Sequence, residues 1–422
     1  MSYASHLRCI GCGTVYPVDT VMNLCPVDNR PVEIIMDIDR LRSEKNDFQW
    51  YRPDIKSMWR FGSLLALDIN DDSDRSNIVS LGEGYTPLLA LDEYPLSSKI
   101  GFKLYIKDEG QPHPGYGKNP TGSFKDRGMS MVASMAKKLG LKQLAVPTQG
   151  NAGDSLTEYA LHAGFELAVA MPDDTPMPIL GRVAAMEKIH PQIHLELVKG
   201  TIRDASELLK EKYVSKGFFS TATFQEPGWR IEGKKTLGLE LAEPIPGIKE
   251  HWSLPEVILY PTGGGTGILG MWKAFDELEA LGVIDNKRPK IIAVQSEATP
   301  PVVNAFKEGN IDSQLVDAGH TIATGLNVPG GVGQIKVLEI IRKSGGAAIA
   351  VSEENICAEL RNIYQRKGIW ICPEGAATLA ALGPAVQMGL IKPDSTVVAF
   401  NTGSFEKYLP NVRNIIFDID KE

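Results

Sequence analysis

The sequence predicts an α/β fold built on parallel sheets, and three observations predict it. Short apolar segments, such as 102–107 and 290–296, have the length and composition of buried strands. Longer segments with helical spacing, such as 124–140, separate these apolar segments. Strands that alternate with helices pair in parallel sheets whose faces the helices cover. With 422 residues, the chain has room for two or three domains of roughly 100–200 residues each.

The composition excludes several classes of protein. The 44 Lys and Arg residues against 52 Asp and Glu residues give a formal net charge of -8, which argues against a nucleic-acid binder. No apolar segment approaches the roughly 18 residues of a membrane span, and the first residues lack the apolar core of a signal peptide. Five cysteines are too few for a disulfide scaffold. We therefore expect a soluble protein of the reducing cytoplasm that neither enters membranes nor binds nucleic acid.

The predicted elements alternate in a regular order from residue 81 onward. The segment 124–140 predicts a helix that ends at Gly140, because glycine is favoured just past the end of a helix. A second helix is predicted at 153–163. Strands are predicted at 102–107, 141–148, 165–172, 194–199, 256–262, 290–296, 347–352 and 396–402. In an open parallel sheet ligands bind beyond the carboxyl ends of the strands, so the loops there are candidate sites.

A lysine lies in a tight Pro-Thr-Gly turn at the start of the predicted helix 124–140. Ser123 and Asp126 have the spacing of a capping pair that opens this helix. Lys125 then lies in the first helical turn, where the positive end of the helix dipole lowers the pKa of an amine. An amine with a lowered pKa is prepared to form a Schiff base, so Lys125 is the candidate catalytic residue. The alternative is an ordinary surface lysine.

A glycine-rich segment follows the predicted strand 256–262 and opens another helix. Backbone N–H groups at such a turn bind phosphate. Residues 265–270 also satisfy G-x-G-x-x-G, the dinucleotide fingerprint, and Glu297 follows the next strand, where a ribose-binding acid is expected. An NAD-dependent dehydrogenase is therefore one interpretation of the turn. The other interpretation is a binding site for a single phosphate group, and the presence of Lys125 favours it.

The ten residues 119–128, NPTGSFKDRG, resemble the cofactor-lysine motif of threonine synthases, which are fold-type II pyridoxal phosphate enzymes. The resemblance runs from about residue 81 to the carboxyl end and includes LGEGYTPL at 81–88. It implies two parallel-sheet α/β domains of the tryptophan synthase β-like architecture, with the cofactor in the cleft between them. It also implies a homodimeric lyase of threonine biosynthesis that converts O-phospho-L-homoserine and water to L-threonine and phosphate.

The resemblance also implies roles for residues in the candidate loops. Lys125 would form the internal aldimine with pyridoxal phosphate, Asn151 would hydrogen-bond the phenolic oxygen, and Thr402 would face the pyridine nitrogen. Arg230 would bind the phosphate that leaves the substrate. The cofactor phosphate would lie against Gly263, Gly264, Gly265, Thr266 and Gly267. The substrate carboxylate would bind near backbone N–H groups at Thr148, Gln149 and Gly150.

Some residues depart from the pattern of the threonine synthases. The family usually follows the loop asparagine with Thr and Ser, where this chain has Ala152 and Gly153 followed by Asp154. The segment before Arg230 contains Glu226 in place of hydroxyl or amide side chains. Fewer hydroxyls and added carboxylates weaken an anion site. The alternatives within this cofactor class are therefore a phosphoserine-using, cysteate synthase-like enzyme and a serine/threonine ammonia-lyase.

The amino-terminal segment contains three of the five cysteines. Cys9, Cys12 and Cys25 resemble the ligands of a zinc ribbon in which Asp28 replaces the fourth thiolate, and zinc accepts such a carboxylate. A degenerate hairpin without metal is the alternative to a structural zinc site. We expect the chain to divide into a ribbon-like segment at 1–35, a helical or irregular connector at 36–80, a large cofactor domain at 81–130 and 236–422, and a small mobile domain at 131–235.

Overall fold

The computed structural model describes residues 2–45, 48–367 and 369–416 of the chain. Its strands are β1 (Ala4–Cys9), β2 (Val15–Pro17), β3 (Val32–Met36), β4 (Leu88–Ala90), β5 (Lys103–Asp108), β6 (Gln143–Pro147), β7 (Glu166–Pro172), β8 (Ile193–Val198), β9 (Phe219–Ser220), β10 (Val257–Pro261), β11 (Lys290–Ser296), β12 (Ala347–Val351) and β13 (Thr396–Asn401). Its helices are α1 (Ile38–Glu44), α2 (Asp72–Arg75), α3 (Pro95–Ile100), α4 (Lys125–Lys138), α5 (Asn151–Ala163), α6 (Met177–Ile189), α7 (Ile202–Lys212), α8 (Trp229–Ala242), α9 (Thr266–Ala280), α10 (Pro301–Lys307), α11 (Gln334–Lys343), α12 (Glu353–Lys367), α13 (Pro373–Ala380), α14 (Leu382–Gln387) and α15 (Leu409–Ile416). Short 3₁₀ helices occupy Met58–Leu64, Val214–Lys216, Thr324–Leu326 and Phe405–Tyr408.

The described strands form three sheets. A six-stranded sheet has the order β12-β11-β10-β13-β5-β4 and is parallel except at its edge, where β4 runs antiparallel to β5. A four-stranded sheet has the order β8-β7-β6-β9 and is entirely parallel. A three-stranded antiparallel sheet of order β2-β1-β3 lies at the amino-terminal end. The α/β class and the two parallel sheets that the sequence predicts are confirmed.

The eight predicted strands and the two predicted helices are all present. The sequence did not predict β1, β2, β3, β4 and β9. Strands β2, β4 and β9 have only two or three residues each, so they carry too little periodic pattern to recognise. Helix α5 begins at Asn151, two residues before the predicted start at 153, because Gly150 adopts a φ of 128° and ends the preceding loop.

Helix α8 is buried along its whole length between helices α4 and α9. Glycines allow this close packing. A Cβ on Gly233 would lie 2.0 Å from the carbonyl oxygen of Arg127 in α4, and a Cβ on Gly270 of α9 would lie 2.6 Å from the carbonyl carbon of Lys234. The two close crossings bring the side chains of α8 beside the first turns of α4 and α9.

Buried ion pairs connect this helix layer to the large sheet. Arg127 Nε lies 2.7 Å from Glu109 Oε2, and Arg127 Nη2 lies 2.7 Å from Glu240 Oε2. Lys107 at the end of β5 contacts the same Glu240 oxygen at 2.7 Å. Each of these side chains has at most 2% of its surface exposed, so removing one partner would leave an uncompensated buried charge.

The segment 36–80, predicted as a helical or irregular connector, is part of the protein core. Trp59 and Phe61 lie in its 3₁₀ helix and are almost completely buried. Trp59 Nε1 donates a hydrogen bond to Glu83 Oε1 at 2.9 Å, which ties the segment to the start of the large sheet. The division of the chain into domains, including a mobile small domain, stays a prediction. Among the described residues, no helix combines the length and apolar composition that crossing a bilayer requires.

Candidate active site

A cleft with a cavity of about 810 Å³ opens beyond the carboxyl ends of strands from both parallel sheets. Strand β6 leads into its wall at 148–152, β10 leads in at 261–267, and β13 leads in at Thr402. Lys125 and Arg230 also line it. The structure thus gathers around one cavity all the residues that the sequence assigned to cofactor and substrate, as expected for open parallel sheets. Their individual roles stay predictions.

Lys125 is the first residue of helix α4, as the sequence predicted. The predicted cap was wrong, because Ser123 Oγ is buried and makes no hydrogen bond within the described residues. Ser123 instead forms an antiparallel bridge with Gly403, and the N–H of Phe124 donates to the carbonyl of Thr402 at 3.1 Å. This pairing with the loop after β13 overrides the local cap and fixes Lys125 opposite Thr402.

The surroundings of Lys125 favour a neutral amine. Burial and the charge of Arg230 lower the pKa of Lys125 from its usual 10.5 to about 8, against the opposing effect of Glu374. Its Nζ lies 4.7 Å from the centre of the Phe124 ring, which shields one side of the amine from water. At pH 7 about one part in eleven of such an amine is unprotonated, far more than for an ordinary lysine, and this fraction can act as a nucleophile or a base.

The glycine turn, residues 263–267, packs closely against its neighbours at the start of helix α9. Gly265 caps the helix with a φ of 84°, a conformation that L side chains rarely adopt. A Cβ on Gly265 would lie 2.4 Å from Val337 Cγ2, and one on Gly263 would lie 2.8 Å from the carbonyl oxygen of Gly325. Only glycine therefore fits at these two positions, and a glycine turn that opens a helix offers its backbone N–H groups as donors. This donor set, with the Thr266 hydroxyl beside it, fits a phosphate group.

Asn151 is held by two residues from the far end of the chain. Its Nδ2 donates to Tyr408 Oη at 2.9 Å, and its Oδ1 accepts from Lys407 Nζ at 2.8 Å. These bonds fix the orientation of the amide at the cleft wall. Thr402, with 6% of its surface exposed, lies on the same wall, and its Oγ1 is 3.9 Å from Cys372 Sγ. Both side chains are thus oriented before any ligand binds.

The loop before Asn151 is shaped by its own threonine. Thr148 Oγ1 accepts hydrogen bonds from the N–H groups of Gly150 and Gly153 at 2.9 and 3.1 Å. Gln149 Nε2 donates to the carbonyl of Asn327 at 2.9 Å, which connects this loop to the opposite wall. The two bonds use lone pairs of the Thr148 oxygen and hold the turn, so the hydroxyl proton remains available to an anion.

Arg230 is buried, with 2% of its surface exposed, so the possibility that it forms a surface ion pair is excluded. Its guanidinium donates to the Thr223 hydroxyl at 3.2 Å and to the carbonyl of Thr221. Glu226 Oε2 lies 4.0 Å from Arg230 Nε. Burial raises the pKa of Glu226 to about 7, although the charge of Arg230 opposes the shift. Near neutral pH this carboxyl is therefore only partly ionised.

Asp154 does not face the cleft, although the sequence suggested that it would weaken an anion site there. Its two oxygens contact Lys407 Nζ at 2.8 Å and Arg182 Nε at 3.0 Å. These cations compensate the charge of the carboxylate. The departure from the family pattern at this position therefore adds no net negative charge to the cavity.

Sequence reasoning missed Glu374, which lines the cleft with 3% of its surface exposed. Its Oε1 accepts from the N–H of Gly325 at 2.7 Å and from Tyr408 Oη at 3.0 Å, whereas its Oε2 has no hydrogen-bond partner among the described residues. Burial raises the pKa of Glu374. Pro373 followed by Glu374 is a pattern typical of the start of a helix, here α13. Nothing in the sequence showed that the carboxyl of Glu374 points into the cleft.

The amino-terminal sheet brings the four predicted metal ligands together. The ligand atoms of Cys9, Cys12, Cys25 and Asp28 all lie within 4.8 Å of one another. The loop before β3 also reaches the cleft, because Arg30 lines the cavity and its Nη1 lies 2.8 Å from Asp312 Oδ2. Sequence reasoning did not predict that contact, since the two residues are far apart in the chain.

A known protein family and two individual proteins of known name are similar to most of this chain. Residues 79–403 match the family described as pyridoxal-phosphate dependent enzyme. The chain is 32% identical over 406 residues to the threonine synthase of Methanosarcina acetivorans, covering 95% of this chain and 92% of that protein. It is 31% identical to the threonine synthase of Methanocaldococcus jannaschii, covering 94% and 91%.

Solved structures with a similar fold support the architecture. Diaminopropionate ammonia lyase from Escherichia coli superposes with a TM-score of 0.65 at 17% identity, covering 82% of this chain and 90% of that one. A threonine deaminase isoform from Solanum lycopersicum superposes with a TM-score of 0.61 at 21% identity and the same coverage of 82% and 90%. At these identities the likeness concerns the fold alone.

The family match corrects the dehydrogenase interpretation of the glycine turn. Two of the glycines at 265–270 serve packing in this structure. A Cβ on Gly267 would lie 2.0 Å from Tyr260 Oη, and a Cβ on Gly270 would meet the backbone of Lys234. The G-x-G-x-x-G spacing therefore arises from close helix packing and a single turn, which the short motif cannot distinguish from a dinucleotide site.

Proposed function

The chain belongs to the threonine synthase family of pyridoxal-phosphate dependent enzymes, and from this premise we propose that it converts O-phospho-L-homoserine and water to L-threonine and phosphate. The observation that carries the proposal is the arrangement of Lys125 and Arg230 in one cleft. A lysine with a pKa near 8 lies beside a buried arginine and faces a turn suited to phosphate. The relatives in the two archaea, which share most of the length of this chain, support the same assignment.

The cleft offers donors suited to each part of the cofactor. We assign the backbone of Gly263, Gly264, Gly265 and Gly267, with Thr266, to the cofactor phosphate, Asn151 to the phenolic oxygen and Thr402 to the pyridine nitrogen. Pyridoxal phosphate, when bound, supplies an electron sink that acidifies the α-proton of an amino acid. The hydroxyl of Thr402 is a neutral partner, which does not force protonation of the ring and so suits elimination and replacement chemistry.

Lys125 is the residue to which we assign the proton transfers. Its Nζ is the nucleophile that binds the cofactor, and once displaced by the substrate amine it is the base that takes the α-proton. Burial and Arg230 raise the unprotonated fraction of this amine near neutral pH far above that of an ordinary lysine. Its place at the start of a helix anchored to the loop after β13 holds it against the reacting atoms.

Two parts of the cleft are assigned to the substrate. Arg230 binds the γ-phosphate that leaves, since a guanidinium recognises a phosphate through paired charge-assisted hydrogen bonds. We assign the loop of Thr148, Gln149 and Gly150, at the start of helix α5, to the substrate carboxylate. The N–H of Thr148 donates to the carbonyl of Ala170 and that of Gly150 to Thr148 Oγ1, so the N–H of Gln149, which has no acceptor among the described residues, is the backbone donor left for the carboxylate. The preceding contacts of Thr148 and Gln149 hold this loop in place before substrate arrives.

Two alternatives use the same cofactor. Glu226 beside Arg230 weakens a site for a phosphate dianion, because a carboxylate there competes for the arginine, and so it favours the alternative that releases no phosphate. A phosphoserine-using, cysteate synthase-like enzyme would release phosphate from a shorter substrate. A serine/threonine ammonia-lyase would release ammonia and a keto acid and would need no anion site for a leaving group.

The test is a comparison of substrates on the purified protein with pyridoxal phosphate. Phosphate and threonine formed from O-phospho-L-homoserine are the expected products. Phosphate formed only from O-phospho-L-serine would support the cysteate synthase-like alternative, and ammonia formed from serine or threonine would support the lyase. If the protein shows the visible absorbance of lysine-bound cofactor but forms no product from O-phospho-L-homoserine, the proposed substrate is rejected and the cofactor is not.

We also propose that Cys9, Cys12, Cys25 and Asp28 bind a structural zinc ion. Cys12 Sγ and Cys25 Sγ lie 3.7 Å apart, and Cys9 Sγ lies 3.2 Å from Asp28 Oδ1. Two thiolates on one tetrahedral zinc are separated by about 3.8 Å, given a Zn–S distance of about 2.3 Å. Elemental analysis of the purified protein tests the proposal, and a metal-free protein that keeps its full stability would contradict it.

The proposed homodimer and cytoplasmic location have indirect support. The homodimer is supported by the resemblance to threonine synthases and the location by the composition. Light scattering of the purified protein and fractionation of cells test these two proposals.

A further inference from the structure

One buried cation beside the cleft has no part in the chemistry described so far. Lys234 lies in helix α8 with 1% of its surface exposed. No ion pair of Lys234 is found within the part of the chain that the structure describes. The other charged side chains of this helix each lie near an opposite charge, and the pairs include Arg230 with Glu226, Glu232 with Lys235, and Glu240 with Arg127.

The amine of Lys234 lies directly behind the glycine turn. Its Nζ donates a hydrogen bond to Thr266 Oγ1 at 3.1 Å and lies 4.4 Å from the centre of the Phe124 ring. Thr266 is the first residue of α9 and lines the cleft. A Cβ on Gly270 would touch the backbone of Lys234, so the close crossing of the two helices fixes this arrangement. A single hydroxyl therefore separates the amine from the cavity.

Lys234 is buried, and two of the three charged groups that act on its amine are positive. Burial, reinforced by the charges of Lys125 and Arg230, lowers the pKa of Lys234 well below its usual 10.5, and Glu226 acts in the opposite direction. A buried ammonium without a paired anion is costly. An anion at the glycine turn would remove that cost, because it would bring negative charge close to the amine.

The hydrogen bond from Lys234 also determines what the Thr266 hydroxyl can do. An ammonium only donates, whereas a hydroxyl has one proton to donate and two lone pairs to accept with. While Lys234 occupies a lone pair of Oγ1, the proton of Thr266 remains available. No acceptor for that proton is found among the described residues, and the hydroxyl lies beside the open N–H groups at the start of α9.

We propose that Lys234 and Thr266 form a phosphate-binding pair, in which the ammonium neutralises the charge of the cofactor phosphate and the hydroxyl donates to one of its oxygens. This inference rests on the proposed binding of pyridoxal phosphate. It adds a side-chain cation to a phosphate site that otherwise offers backbone N–H groups. Lys234 is a positioning residue, because it acts through Thr266. Arg230, whose contacts lie toward Thr221 and Thr223, remains the cation for the other phosphate.

The test compares pyridoxal phosphate with pyridoxal, which lacks the phosphate, on cofactor-free full-length protein. Lys234→Gln removes the charge and keeps a polar hydrogen-bonding side chain that is one atom shorter. Loss of the ammonium behind Thr266 should weaken the affinity for pyridoxal phosphate on the order of 10- to 100-fold, measured by equilibrium dialysis. The affinity for pyridoxal should stay within about twofold of that of the wild-type protein. The melting temperature of the cofactor-free variant should not fall, since a buried charge has been removed.

A second variant tests the link through the hydroxyl. Thr266→Val keeps the shape of the side chain, and its effect on the affinity for pyridoxal phosphate should not add to that of Lys234→Gln, because the two residues act as one unit. Additive losses would overturn the pairing. Equal losses for both ligands in Lys234→Gln, or no loss for either, would overturn the phosphate role. A wild-type protein that binds no pyridoxal phosphate would instead reject the proposed function itself.

Discussion

Replacing Glu226 by Gln should remove one cause of the loss of substrate affinity that the wild-type enzyme shows as the pH rises through about 7. Glu226 Oε1 accepts a hydrogen bond from the N–H of Arg230 at 3.1 Å, and Oε2 lies 4.0 Å from Arg230 Nε without a hydrogen-bond partner among the described residues. Burial raises the pKa of Glu226 to about 7. Above that pH the carboxylate is charged and competes with an anionic substrate for Arg230.

The expected size of the effect follows from the protonation of Glu226. We take the phosphate ester to bind when this carboxyl is neutral. With a pKa of about 7, half of the enzyme is then competent at pH 7 and about one part in eleven at pH 8. The apparent KM should therefore rise about twofold at pH 7 and about elevenfold at pH 8, relative to its limit at low pH. The direction is fixed, because each proton lost adds a negative charge beside Arg230.

The assay is the initial rate of phosphate release from O-phospho-L-homoserine as a function of substrate concentration and pH. Lys125, with a pKa of about 8, and the substrate phosphate also titrate in this range, but they do so in both proteins. The ratio of the wild-type KM to the Glu226→Gln KM therefore isolates the contribution of Glu226. A ratio that stays constant as the pH rises would refute the reasoning.

Three further predictions concern other parts of the chain. Lys125→Ala should abolish turnover and the visible absorbance of lysine-bound cofactor, and phosphate release at the wild-type rate would contradict the assignment. Gly233→Ala should lower the free energy of unfolding by about 3 kcal/mol, because the new Cβ would lie 2.0 Å from a carbonyl oxygen of α4. Gly383→Ala is its control in urea denaturation and should be neutral or stabilising by up to about 1 kcal/mol, since nothing lies within 4 Å of that position. Cys12→Ser should lower the zinc content measured by elemental analysis, whereas Cys357→Ser, which changes a cysteine outside the cluster, should leave it unchanged.

Much of the fold and of the candidate site could be predicted because the signals were local. Strand-length apolar runs and their spacing predicted the two parallel sheets, and the carboxyl ends of three of those strands located the cleft. The turn before Lys125 predicted the lysine at the start of a helix, which the structure confirms. The amino-terminal sheet was harder to predict, since β2 has only three residues and the longer β1 and β3 do not alternate with predicted helices.

The sequence by itself determined the α/β class, the position of Lys125 and the glycine turn, because backbone periodicity and turn chemistry depend on neighbours in the chain. Only the tertiary structure decided the partners of the buried polar groups. Ser123 bridges Gly403 rather than capping its own helix, and Lys234 is left without a paired anion among the described residues. The physical reason is that the energy of a buried charge or hydroxyl depends on which distant elements pack around it, and no local pattern encodes that packing.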